Sequence, residues 1–250
     1  MATLDSLTAA VRGRLDALIA TLRERCGARL VGVIAHGSAV RGGWRAGVSD
    51  VDLVCVLDDD PPELLAAIGP ALELARHAAR IEVMILTRAE IARSADCFPL
   101  LYGDLARTSV TLTGTNPFTG LTISEAHKRL RIEQELRELR IRLRRVMTDR
   151  AGEAGGAAGG AVSGAAGGAI SGALDRKLKQ ARSALWALLA LRGEQVGEGV
   201  DDVLRAAAAA YAVDLAPLAR AREDALAAWA ALARLLDAAL ADVDAREVAS

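Results

Sequence analysis

The sequence predicts an α/β (α+β) domain followed by an all-α helical bundle, and three observations predict it. Short Val- and Ile-rich apolar runs alternate with helical periodicities up to about residue 118. Beyond that point no strand-like run remains, only apolar residues at three- and four-residue steps. The hydrophobic fraction is 52% but the aromatic fraction only 3%. Ala and Leu therefore dominate, and both lose little side-chain entropy in a helix. With 250 residues the chain can bury a real core in each of two domains, set here at 1–118 and 119–250.

In chain order, Leu4, Leu7, Val11, Leu15, Leu18, Leu22 and Cys26 form the apolar stripe of a first helix, which Gly27 stops. The run 30–35 is a buried strand ending at His36-Gly37-Ser38. A Gly-rich loop, 39–49, leads to a second strand at 51–57 that closes on Asp58-Asp59-Asp60-Pro61-Pro62. Those prolines stop the strand and seed a helix over 63–79. Residues 81–86 make a third strand, and Thr87-x-x-Glu90 has capping-box spacing for a short helix. A fourth strand is expected at 110–112, before Gly114.

In the second half, Thr122-x-x-Glu125 reads as a capping box that opens an Arg/Glu-rich helix to about residue 150. Its expected buried stripe is Leu130, Leu136, Leu139, Leu143 and Met147. The segment 151–172, almost wholly Gly, Ala and Ser, is expected to be a mobile connector, with Ala allowing parts of it to pack as helix. Helices are expected over 174–191, 201–211 and 215–243.

Net charge is −1 with both signs interspersed, which argues against a nucleic-acid or anionic-membrane surface. No apolar run reaches the ~18 residues of a membrane span, and the first residues lack a signal-peptide pattern. Cys26, Cys55 and Cys97 are odd in number and far apart, which suits buried thiols in a reducing, cytoplasmic setting.

The chemistry concentrates at two places. Gly37-Ser38 ends a strand, where a residue without Cβ lets backbone amides approach a phosphate. Asp50 and Asp52 stand two apart at the entry to the next strand, so both carboxylates project from one face. Glu82, early in the third strand, is placed to complete the set. Hard oxygen ligands on one side of a site suit Mg²⁺, which keeps waters and bridges substrate phosphates. Arg41 and Arg45 lie between the turn and the aspartates, where either can neutralise triphosphate charge or remain an exposed loop arginine. Trp44 is read as an anchor of its own loop, and His36 as packing beside the turn.

The stretch His36-Gly37-Ser38-Ala39-Val40-Arg41-Gly42-Gly43, followed by Ser49-Asp50-Val51-Asp52-Leu53-Val54, resembles the DNA polymerase β-like nucleotidyltransferase superfamily. Within it the likeness is to small bacterial nucleotidyltransferases related to the aminoglycoside adenylyltransferases, in an uncharacterised branch. The resemblance implies a mixed-sheet nucleotidyltransferase domain followed by a helical bundle. It implies transfer of a nucleoside monophosphate from an NTP, ATP favoured, to a hydroxyl of a small molecule or protein. Ser38, with Gly37, Arg41 and Arg45, would contact the nucleotide. Asp50 and Asp52 would hold a pair of Mg²⁺ ions, with Glu82 as third ligand or as general base. The acceptor stays open, as does a homodimer.

A second reading keeps the nucleotide-binding fold in a catalytically weak or inactive regulatory protein of antitoxin type. A ribonuclease in the helical half is excluded, since the last histidine, His127, has no arginine at the required spacing upstream.

Overall fold

The structure is a computed structural model that describes residues 4–153 and 165–246, with side chains described for 4–148 and 171–246. The chain divides into two compact units, Met1–Ile123 and Ser124–Ser250.

In the first unit, helix α1 (Ala9–Cys26) starts at Thr8, whose hydroxyl accepts from the Val11 amide, and ends at Gly27. Strand β1 (Leu30–His36) leads into the single-turn helix α2 (Ser38–Arg41) and then strand β2 (Val51–Leu57). Helix α3 (Pro62–Ala79) follows, with Pro62 in its first turn as the sequence predicts. Strand β3 (Ile81–Thr87) comes next, then helix α4 (Arg88–Arg93). The predicted capping box is present: the Glu90 amide donates to Thr87 Oγ1 at 3.3 Å, and the Thr87 amide to Glu90 Oε2 at 2.7 Å. Helix α5 (Pro99–Thr108), absent from the sequence reading, precedes strand β4 (Val110–Gly114).

The sheet is mixed, as expected, with order β3-β2-β1-β4. Strand β1 runs antiparallel to β2 and β4, whereas β2 and β3 are parallel. Side-chain alternation divides it into two faces. Val33, Ala35, Val51, Leu53, Cys55 and Leu57 pack with α1 and α3. On the opposite face, Ile34, Val54 and Val56 pack with Tyr102 and Leu105 of α5, Ile91 and Phe118. His36 and Asp52 have the parity of this second face, so the strand that fills both cores also aims its one carboxylate at the α5 side.

In the second unit, helix α6 (Glu125–Glu153) packs against α7 (Ala165–Leu191) and α10 (Ala225–Ala245); α8 (Val200–Ala210) packs on α7, and α9 (Ala216–Ala219) on α10. The expected start of α6 is corrected by two residues. Ser124 caps it, accepting from the His127 amide at 3.1 Å, and Thr122 lies outside the helix. Its stripe is corrected too: Leu130 is 49% exposed, and Ile132 takes its place with Leu136, Leu139 and Leu143. Spacings of four, three and four keep those residues on one face, which Leu130 leaves. The helix expected over 215–243 breaks at the 220–224 turn, where Asp224 caps α10 through the Ala227 amide at 2.9 Å.

Much of the expected connector is helix: residues 151–153 close α6 and 165–172 open α7. The rest of it, 154–164, lies outside the described residues. Among the described residues no helix is long and apolar enough to cross a membrane.

Candidate active site

The Gly37-Ser38 turn and the Asp52 carboxylate touch. Gly37 has φ +73°, and a Cβ built on it would lie 2.2 Å from Asp52 Oδ2. Only glycine offers both the backbone conformation and the room. The chain then enters α2, where the Val40 and Arg41 amides both turn back to the Gly37 carbonyl, at 3.3 and 3.2 Å. Amides at the start of such a turn have no partner within it and are available to an anion.

Asp52 is half-buried and faces His36 across the β1–β2 ladder. Among the described residues no donor hydrogen-bonds to its carboxylate. Burial pushes its pKa up, while His36 and Arg41 pull it down and Asp50 raises it further. Burial lowers the His36 pKa, with Asp52 opposing. Asp52 is thus a half-buried carboxylate next to a second carboxylate. That donor set fits Mg²⁺.

The other two acids are placed differently. Asp50 is bound by Arg80, Nη2 to Oδ1 at 2.7 Å, with both side chains about half exposed. A pair this exposed is weak, on the order of 0–1 kcal/mol, so a competing cation can take the carboxylate. Arg80 also donates to the Val48 carbonyl at 3.3 Å, tying the loop before Asp50 to the end of α3. Glu82 is the register partner of Asp52 in the parallel β2–β3 pair and is exposed. Neighbouring strands lie about 4.8 Å apart and paired residues share a face, so Glu82 and Asp52 stand side by side. Among the described residues, no three His, Cys, Asp or Glu side chains converge as a metal cage.

The two loop arginines also separate. Arg45 is exposed, its backbone closing a turn with Ser49 through the Ser49 hydroxyl at 3.1 Å. Arg41 is mostly buried and pairs with Asp104 of α5 at 3.1 Å. Asp104 was not singled out from the sequence; its only local signal is a lone acid in the apolar run from Leu100 to Leu105. Trp44 is buried against the α1 side of the core, in keeping with a loop anchor. The acids after β2 serve elsewhere: Asp58 pairs with Arg88 at 3.0 Å and Asp59 with Arg29 at 2.8 Å.

Comparison with known proteins follows the same lines. Residues 15–107 match the nucleotidyltransferase domain family, a stretch that runs from α1 into α5 and includes Gly37, Ser38, Arg41, Arg45, Asp50, Asp52, Glu82 and Asp104. No curated protein matches the chain significantly. Among solved structures, one similar chain is the spectinomycin adenyltransferase AAD(9) from Enterococcus faecialis, solved with ATP and spectinomycin. It is 14% identical, with 90% of this chain and 99% of that chain covered and a TM-score of 0.45. The likeness to a nucleotidyltransferase domain therefore rests on residues 15–107, within the first unit.

Proposed function

We propose that the N-terminal unit transfers a nucleoside monophosphate, AMP from ATP, to a hydroxyl of a small molecule or protein, with Mg²⁺ held by Asp50 and Asp52. The observation that supports this most directly is the seating of the Asp52 carboxylate on the Gly37-Ser38 turn. A metal ligand and a phosphate-binding turn in contact are what a metal-bridged triphosphate requires.

In this reading the turn amides and the Ser38 hydroxyl bind the triphosphate, and Arg45 meets its charge from the loop. Glu82, exposed beside Asp52, accepts the proton of the acceptor hydroxyl while that oxygen attacks the α-phosphorus in line. The α-phosphorus bond to the bridging oxygen breaks, and pyrophosphate leaves. Asp50 and Asp52 would hold Mg²⁺, which would supply charge neutralisation on the phosphates, and Glu82 would serve as a ligand instead of a base if a second ion were held. Free, unpaired thiols at Cys26, Cys55 and Cys97 support a reducing, cytoplasmic setting.

A catalytically silent, nucleotide-binding regulatory protein is the competing reading, favoured by the Asp50–Arg80 pair and by the lack, among the described residues, of three acids converging as a metal cage. The two are separated by offering α-labelled NTPs with Mg²⁺ to wild type and Asp52→Asn, using cell lysate and aminoglycosides as acceptors. Label moved by wild type alone, with both proteins melting alike, supports the enzyme. Mg²⁺-dependent NTP binding without transfer supports the silent protein. No Mg²⁺-dependent binding of any of the four NTPs sinks both.

A further inference from the structure

One nitrogen of Arg80 joins two parts of the site. Its Nη2 lies 2.7 Å from Asp50 Oδ1 and 3.3 Å from the Val48 carbonyl oxygen, so a single NH₂ group serves both acceptors. The backbone of Arg80 is pinned as well. Its amide closes α3 on the Ala75 and Arg76 carbonyls, and its carbonyl accepts from the Val51 amide at 2.9 Å. The residue does so at φ 54° and ψ 40°, a left-handed conformation that glycine or asparagine takes at a helix end with least strain. The strain of an arginine at this position points to its side chain as the reason for it. The Val48 carbonyl belongs to a turn closed on itself, in which the Val48 and Ser49 amides bond the Arg45 carbonyl at 3.2 and 2.9 Å. Trp44 anchors the near end of that turn in the core, and Arg80 ties its far end to α3.

We propose that Arg80 is a positioning residue, a latch that a divalent cation exchanges: it holds Asp50 and the 45–49 turn together, and a cation taking Asp50 releases the turn. The inference rests on the reading of Asp50 as a metal ligand. Guanidinium and cation compete for one carboxylate, so each weakens the hold of the other by the same factor. The Arg80 and Asp50 side chains are 51% and 44% exposed, which keeps their pair weak enough to be displaced. The nitrogen that leaves Asp50 is the one that holds Val48, so loss of the first contact loosens the second. The turn it releases begins at Arg45, the exposed arginine read as meeting triphosphate charge.

The test has two readouts on the full chain without nucleotide. Free Mn²⁺, which shares the carboxylate preference of Mg²⁺, is followed by its EPR signal, and hydrogen exchange of the peptide over 42–50 is followed with and without Mg²⁺. Asp50→Asn, which removes the site, serves as the control. Arg80→Gln is expected to tighten Mn²⁺ binding about threefold, the scale of one exposed ion pair, and to speed exchange over 42–50. Mg²⁺ is expected to speed that exchange in wild type and to leave it unchanged in Arg80→Gln. Arg76→Gln, one turn back on α3, removes the same charge from an exposed position with no bond to Asp50 and is expected to match wild type in both readouts. An unchanged Kd in Arg80→Gln, equal tightening in Arg76→Gln, or wild-type exchange that Mg²⁺ does not speed overturns the proposal. If Arg80→Gln does not fold, Arg80→Gly, which relieves the left-handed backbone, decides: tighter Mn²⁺ binding supports the latch, and an unchanged Kd makes Arg80 a helix cap and overturns it. Wild type that takes up no Mn²⁺, or as much after Asp50→Asn, overturns both this inference and the reading of Asp50 as a metal ligand. Uptake lost in Asp50→Asn but unaffected in Arg80→Gln overturns this inference alone.

Discussion

Replacing Gly37 by alanine perturbs the backbone and the carboxylate at one point. The residue has φ 73° and ψ −151°, a region that is nearly glycine-only. Holding a non-glycine residue there costs about 1–3 kcal/mol. The new Cβ would stand 2.2 Å from Asp52 Oδ2, against 3.4 Å or more for ordinary contact. Asp52 or the turn must therefore move by roughly an ångström, and a displacement of that size at a reacting centre costs on the order of a hundredfold in rate. Urea unfolding should show the stability loss, and Mg²⁺-dependent ATP turnover the hundredfold fall. Serine at position 37 should behave like alanine, because the defect lies in Cβ and φ rather than polarity. An alanine variant with wild-type stability and wild-type Mg²⁺-ATP binding would refute the assignment of this turn as the place where carboxylate and phosphate meet.

Two further outcomes follow from groups outside the site. Arg182 is 3% exposed and binds the Glu198 carboxylate and its carbonyl, the latter at 3.0 Å. Arg182→Met removes the guanidinium contacts to Glu198 and should destabilise the helical unit by about 1–3 kcal/mol in urea unfolding, whereas no measurable loss would mean the pair is solvated. Among the thiols, burial pushes Cys55 up to about 12 and raises Cys26 as well, while Cys97 is exposed and raised by Asp96. Because the thiolate is the reactive form and its fraction grows as pH rises toward the pKa, the native chain should react with a disulfide reagent at Cys97 alone, with a rate still climbing above pH 9. Fast reaction of Cys55 near neutral pH would contradict its burial.

Local pattern was enough for much of this protein. The alternation of Val51, Leu53, Cys55 and Leu57 with Asp52, Val54 and Val56 announces a strand with two buried faces, and the period belongs to the strand itself. Gly37-Ser38 and Asp50-x-Asp52 are legible as a glycine turn at a strand end and a carboxylate pair at a strand entry, since both features are set by neighbours in sequence. The capping box at Thr87 and Glu90 was legible for the same reason. Helix α5 was not: it has Pro99 at its start, Gly103 within it and no side-chain cap, so its helical state rests on packing Tyr102 and Leu105 against the sheet. Cys97, expected to be buried, is exposed because it sits in the turn before that helix.

What only the tertiary structure decided is which charge meets which. Asp50 finds Arg80 because parallel pairing of β2 and β3 sets the two strand entries level. Glu82 stands beside Asp52 for that same reason of register. Arg41 finds Asp104 across 63 residues of chain because α5 packs over the face that Asp52 shares. A spacing rule reaches along one strand or one turn of helix; the partner of a buried charge is chosen by the element that happens to be packed above it.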